Sequence, residues 1–144
     1  MYFNMLNKLF ILSIFFILVF SFSCEEQGLI VKCPDCTIDE PVDTQLDIKL
    51  DPRYQGTQIV LNIYEGNIED SILYRTYTTG SPTTSITVTL NKKYTVTSTY
   101  FSAGTKYVAV DSATPRVKYE KDQCDDPCYF VYDRKIDLRL KYTK

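Results

Sequence analysis

Five segments of this chain repeat with a period of two residues, and apart from Ser98 in one of them each places an apolar residue at every second position. Leu46, Ile48 and Leu50 alternate with Asp47 and Lys49, and Ile59, Leu61 and Ile63 alternate with Val60, Asn62 and Tyr64. Ile86, Val88 and Leu90 alternate with Thr87 and Thr89. Tyr94, Val96, Ser98 and Tyr100 alternate with Thr95, Thr97 and Thr99, and Ile136, Leu138 and Leu140 with Asp137, Arg139 and Lys141. Successive side chains of a strand point to opposite faces, so each segment reads as a strand with one face inward and one wet. Leu73 to Tyr77, Lys106 to Val110, Arg116 to Tyr119 and Cys128 to Tyr132 are weaker strand candidates. No segment keeps a 3.6-residue apolar period, and Ile68 to Tyr74 has room for one helical turn at most. The fold class expected is all-β: an antiparallel β-sandwich of about 7–9 short strands after an N-terminal signal helix. A small closed barrel is the alternative.

The punctuation between strands agrees. Asp51-Pro52 ends the first strand. Glu65-Gly66-Asn67, Thr79-Gly80-Ser81-Pro82, Ser102-Ala103-Gly104 and Asp111 to Pro115 are turn or loop signals, and Asn91-Lys92-Lys93 reads as a tight connection between two strong strands. Leu90-Asn-Lys-Lys-Tyr94-Thr-Val96 resembles the strand–turn–strand corner of fibronectin type III, immunoglobulin-like and transthyretin-like domains. That resemblance implies that the hydroxyl of Tyr94 bonds back to the main chain.

The N-terminus has a different character. Lys8 precedes an apolar run from Leu9 to Phe20, broken only by Ser13. Such a run suits a signal h-region, whereas a membrane span needs about 20 apolar residues. Ser21 and Ser23 supply small residues just before Cys24, and Glu25 and Glu26 follow it. The place fits ordinary secretory cleavage and also resembles a bacterial lipoprotein signal, in which the new N-terminal cysteine is acylated. Cys-Glu-Glu is similar to the acidic export signal of some surface lipoproteins of Gram-negative bacteria. The division expected is a signal peptide over 1–23, a lipidated N-terminus and tether over 24–32, and a β-sandwich over 33–144. The resemblance implies a partner, the membrane, held through palmitate-type acyl chains on Cys24. It also implies a location in the cell envelope, as an outer-membrane lipoprotein that is periplasmic or surface-exposed. More than one acyl chain gives durable binding, because each buried methylene adds about 0.8 kcal/mol.

Loss of residues 1–23 would leave 121 residues with 18 acidic and 15 basic side chains, a net charge of −3. No basic run exceeds Lys92-Lys93, so nucleic-acid binding has no electrostatic footprint. Six of the eight Phe lie in the leader. The remainder holds eleven Tyr, two Phe and no Trp. Tyrosine and threonine favour strands. The tyrosines are spread along the chain and read as strand residues with one wet end rather than as a sugar-binding platform.

Five cysteines are an odd number for an exported chain. Acylation of Cys24 would leave four, as two close pairs: Cys33-x-x-Cys36 and Cys124-x-x-x-Cys128. Three connectivities are open. Pairing across the two groups closes a loop of about 90 residues, worth about 4–5 kcal/mol in a chain-entropy treatment, whereas a Cys33–Cys36 bridge closes almost nothing. An oxidising compartment favours bridges. The alternatives are a zinc site and a thiol-redox pair. In the first, two pairs supply four thiolates, and Cys-Pro-x-Cys resembles one knuckle of a zinc ribbon. The second needs a lowered cysteine pKa, which Asp35 opposes.

Other chemistry is sparse. The chain has no histidine, which removes Ser-His and Cys-His nucleophile pairs and the commonest general base. Its five glycines form no phosphate-cradling loop. Acids gather at Asp35, Asp39, Glu40 and Asp43 and again at Asp122, Asp125 and Asp126. Both groups fall in loops without calcium-loop spacing and read as solvated. No catalytic residue, metal ligand or cofactor is expected. The function expected is that of a membrane-anchored, non-catalytic accessory or binding lipoprotein whose ligand, an envelope protein or a glycan, the sequence does not name. The alternative is a four-cysteine zinc-binding or thiol-redox protein of the envelope.

Overall fold

Alternating apolar side chains become two facing sheets. The computed structural model describes residues 31–141. The signal segment, Cys24 and tether residues 25–30 lie outside the described residues. Nine strands are present among those described: β1 (Asp43–Lys49), β2 (Ile59–Glu65), β3 (Leu73–Thr79), β4 (Thr83–Thr89), β5 (Tyr94–Ser102), β6 (Thr105–Ala113), β7 (Arg116–Glu120), β8 (Cys128–Tyr132) and β9 (Lys135–Asp137). Short 3-10 turns occur at Cys33–Asp35, Pro52–Tyr54 and Ile68–Asp70.

The sheets run β4-β1-β9 and β3-β2-β5-β6, and β7 pairs with β8 in a separate hairpin. The inner faces of the two larger sheets meet in one apolar core. Leu46, Ile48, Ile86, Val88 and Ile136 come from one side; Ile59, Leu61, Ile63, Tyr94, Val96 and Tyr100 come from the other. The fold is an all-β sandwich.

One detail goes beyond the sequence reading and two differ from it. First, β4 and β5 are separated by only Leu90 to Lys93, yet they lie in different sheets. Asn91 adopts φ 62° and its amide bonds to Pro115 O at 2.7 Å, so the chain turns a corner instead of folding back as a hairpin. Second, the expected strand from Ile136 to Leu140 is regular only over Lys135–Asp137, and it pairs parallel with β1, the one parallel ladder among otherwise antiparallel ones. Beyond the Leu138 amide, which bonds to Lys49 O at 2.8 Å, the Arg139 amide goes to the Asp137 carboxylate at 3.2 Å and the Leu140 amide to the Asp51 carboxylate at 3.2 Å, so the ladder does not continue. Third, Thr95 and Thr97 are buried rather than wet. They stand on the middle strand of the sheet, flanked by Tyr64 and Ser112 and by Asn62 and Val110.

Candidate functional site

The chemistry-bearing residues converge at the tip of the β7–β8 hairpin. Glu120 opposes Cys128 in its last pair, and Cys124 sits in the connecting loop. The chain from Val31 reaches this tip from far away in sequence. The Val31 amide donates to Gln123 Oε1 at 3.2 Å. Thr37 and Tyr129 exchange both backbone hydrogen bonds, at 2.9 and 2.8 Å. Between these contacts, Pro34 is the second residue of the 3-10 turn Cys33–Asp35, closed by the Cys36 amide on Cys33 O at 3.2 Å. Proline suits that position because its ring presets φ and its missing N–H has no partner there anyway.

The turn brings Cys33 to Cys124 and Cys36 to Cys128 as two disulfide pairs. Both have Cα atoms 5.6 Å apart, within the span that bridges use. The sulfurs of Cys36, Cys124 and Cys128 all lie within 4.8 Å of one another. Cys128 is buried and Cys33 is exposed. Closed as bridges, the four cysteines staple the N-terminal lead to the hairpin. Opened by reduction, they would present a cluster of thiols on the scale of a tetrahedral metal site.

Glu120 organises the loop. Its buried carboxylate accepts the amides of Asp122 at 2.9 Å and Lys121 at 3.0 Å. The Asp122 amide, with help from its neighbours, holds the Glu120 carboxyl below the usual carboxylate range. The carboxylates of the acids singled out in the sequence do not join this arrangement, to which Asp122 contributes only its amide. Asp35, Asp39, Glu40, Asp43, Asp122, Asp125 and Asp126 are all exposed.

Asp51 is a second polar centre, which alternation alone gives no reason to expect. It is 4% exposed. Its carboxylate accepts Arg53 Nε at 2.9 Å, the Arg53 amide at 3.0 Å and the Leu140 amide. Its own amide donates to the Tyr100 hydroxyl at 3.3 Å, which in turn donates to Leu138 O at 3.0 Å. The Asp-Pro-Arg sequence was the available signal, since Asp before Pro caps a short helix. This centre pins the C-terminal segment to the β1–β2 connection and is structural.

The tyrosines divide by position. Tyr94 and Tyr100 are core, while Tyr74, Tyr77 and Tyr119 are exposed. The outer face of the β3-β2-β5-β6 sheet also shows Val60, Phe101, Val108 and Val110 to solvent. An open recess of about 300 Å³ lies on that face, between the Ile68–Asp70 turn and β6. Comparison with protein-family models, curated proteins and solved structures finds no match.

Proposed function

We propose that this chain is an accessory or binding lipoprotein of the cell envelope, anchored through acyl chains on Cys24 and non-catalytic. The observation that carries this reading is the attachment of Cys33 to the β7–β8 hairpin through Cys124. Bridged cysteines fit an exported protein. Cys33 also stands only nine positions after Cys24, so the hairpin tip would be held within about 30 Å of the bilayer. The apolar run before Cys24 and the acidic pair after it support export and surface display. The sandwich would then offer its loops, its outer face or a sheet edge to an envelope protein or glycan. Metabolic labelling with [³H]palmitate tests the anchor. Label is expected in the wild type and absent from Cys24→Ala; unchanged label in the variant would overturn the reading.

A second reading keeps the cysteines as thiols. The mutual approach of Cys36, Cys124 and Cys128 sulfurs supports it, because three thiolates so placed could hold zinc. Thiol counting under denaturing conditions separates the two. No free thiol before reduction, apart from Cys24 where it is unacylated, supports bridges. Four thiols released together with zinc support the metal site.

A further inference from the structure

We propose that β3 is a self-pairing edge, through which two copies of this chain join antiparallel to form one continuous eight-stranded sheet. A second copy is one way of using the sheet edge in the function proposed above, but the pairing does not depend on the lipid anchor.

Strand β3 closes one side of the four-stranded sheet and has no strand beyond it among the described residues. Its residues are exposed on both faces, including Leu73 at 55%, Tyr74 at 38% and Tyr77 at 40%. The reason lies in the strand count. Arg75, Tyr77 and Thr79 pair with the core residues Ile63, Leu61 and Ile59 and so share their inward side. Only three strands oppose these four, and the inward side of β3 is left uncovered. Strand β4 is also an edge, but its apolar side chains Ile86 and Val88 are already in the core. On β3 the apolar and aromatic surface is still open to a partner.

Soluble sheets ordinarily guard long edges with lysine, proline or a bulge. Leu73 to Thr79 has no lysine and no proline, and Arg75 is its only charge. The register shift at Ile63/Tyr64 leaves Tyr74 as a bulged residue near the start of the strand, while Arg75 to Thr79 pair with β2 without interruption. The opposite edge of the same sheet is tied down, since Asp111 of β6 accepts the Asp137 amide of β9 at 2.8 Å.

The residues of β3 are complementary to themselves in one register. A dyad at Thr76 pairs the whole strand: Leu73 with Thr79, Tyr74 with Thr78, Arg75 with Tyr77. Each guanidinium, which within its own chain lies 5.8 Å from the Tyr74 ring centroid, then also comes opposite the Tyr77 phenol of the other copy, a second cation–π partner. A dyad at Arg75 would instead oppose two like charges, which destabilises a pair. Any other centre leaves strand ends unpaired. The dyad is perpendicular to the sheet, so two copies anchored in one leaflet would lie with their sheets along the membrane.

Cysteine cross-linking of the full chain in its membrane tests this register. Directly opposed residues of an antiparallel pair have Cα atoms about 4.5–5.5 Å apart, within disulfide range. Thr76→Cys should therefore give a reducible dimer that the wild type lacks. Thr78→Cys should not, because the dyad separates its two copies by about 14 Å along the strands. Equal cross-linking of both variants, or none in either, overturns the proposal, and so does cross-linking of Thr76→Cys to a different protein. Sedimentation of the wild-type chain in detergent supplies a check that needs no variant: a dimer mass is expected, and a monomer across the micromolar range overturns it. Neither readout depends on palmitate labelling, so failure here is distinguishable from failure of the anchor.

Discussion

The Tyr94 hydroxyl accepts the Thr89 amide hydrogen and donates to the Thr89 carbonyl, both at 3.2 Å. The six residues from Thr89 to Tyr94 are tied into a closed corner where the polypeptide leaves one sheet and enters the other. Burial pushes the phenol pKa up, which keeps the hydroxyl a donor. The geometry implied by the Leu90–Val96 resemblance is present, although no family is assigned by it.

Tyr94→Phe keeps the ring and its edge contact with Tyr74 at a centroid distance of 5.4 Å. It removes both hydrogen bonds and leaves the Thr89 groups to find other partners. A loss of about 1–3 kcal/mol is expected from urea unfolding. An unchanged midpoint would mean that the corner holds by packing alone.

The two bridges interleave in sequence and close nearly the same loop, so their removal should not be additive. Either one alone closes a loop of about 92 residues, worth about 4–5 kcal/mol; with one in place, the other closes a ring of only about nine residues, worth about 2.5 kcal/mol. Cys33→Ser/Cys124→Ser and Cys36→Ser/Cys128→Ser should each cost about 2.5 kcal/mol, and removal of all four about 7 kcal/mol. Denaturation of the three variants checks this. A large loss from either pair alone would show that the bridges act through local packing at the hairpin tip.

Acid should weaken the fold through three carboxyls. Asp51 is held low chiefly by the Arg53 side chain, Asp137 chiefly by the Arg139 side chain, and Glu120 chiefly by the Asp122 amide. Each is more acidic folded than unfolded, so its contribution is complete above the unfolded value near pH 4 and fades as pH falls through the folded one. Asp51, the most deeply buried of the three, is the one to test, because its carboxylate also holds the C-terminal segment. Asp51→Asn should lower the melting temperature at pH 7 and flatten the loss of stability below about pH 4. An unchanged acid limb would assign that loss to other groups.

How much of this was legible in the sequence depends on the range of the interaction. Alternation is a local property, and it marks Leu46–Leu50, Ile59–Ile63 and Ile86–Val88 correctly because each strand buries one face. It is silent about partners. The resemblance at Leu90–Val96 points to a corner there but not to the partners of β4 and β5; the Asn91 conformation and the Pro115 carbonyl accompany their parting into two sheets. The parallel placement of β9 rests on bonds between residues far apart in sequence, the Asp47 amide to Arg134 O and the Leu138 amide to Lys49 O. At the hairpin tip, counting the cysteines left three pairings open, and the contact of Thr37 with Tyr129 sets which pairs approach. Strand β3 shows no burial alternation because the opposing sheet lacks a fourth strand, so its sequence looked only weakly strand-like.

Ser98 is the polar exception in the core. It is 1% exposed on the inner side of β5, across from Leu61 and Ala109, and its hydroxyl has no hydrogen-bond partner. An unsatisfied buried hydroxyl costs about 1–3 kcal/mol, whereas an alanine methyl there leaves nothing to satisfy and opens little space. Ser98→Ala should therefore match or exceed wild-type stability, by up to about 1 kcal/mol after allowance for the lost packing of one atom. Larger side chains should behave differently, because the site is already close-packed between Val96 and Tyr100. Urea unfolding of Ser98→Ala and Ser98→Val distinguishes the cases: the first is expected at or above the wild-type midpoint and the second below it. A clear loss from Ser98→Ala would mean that the hydroxyl is bonded in solution, through an enclosed water or a shifted carbonyl.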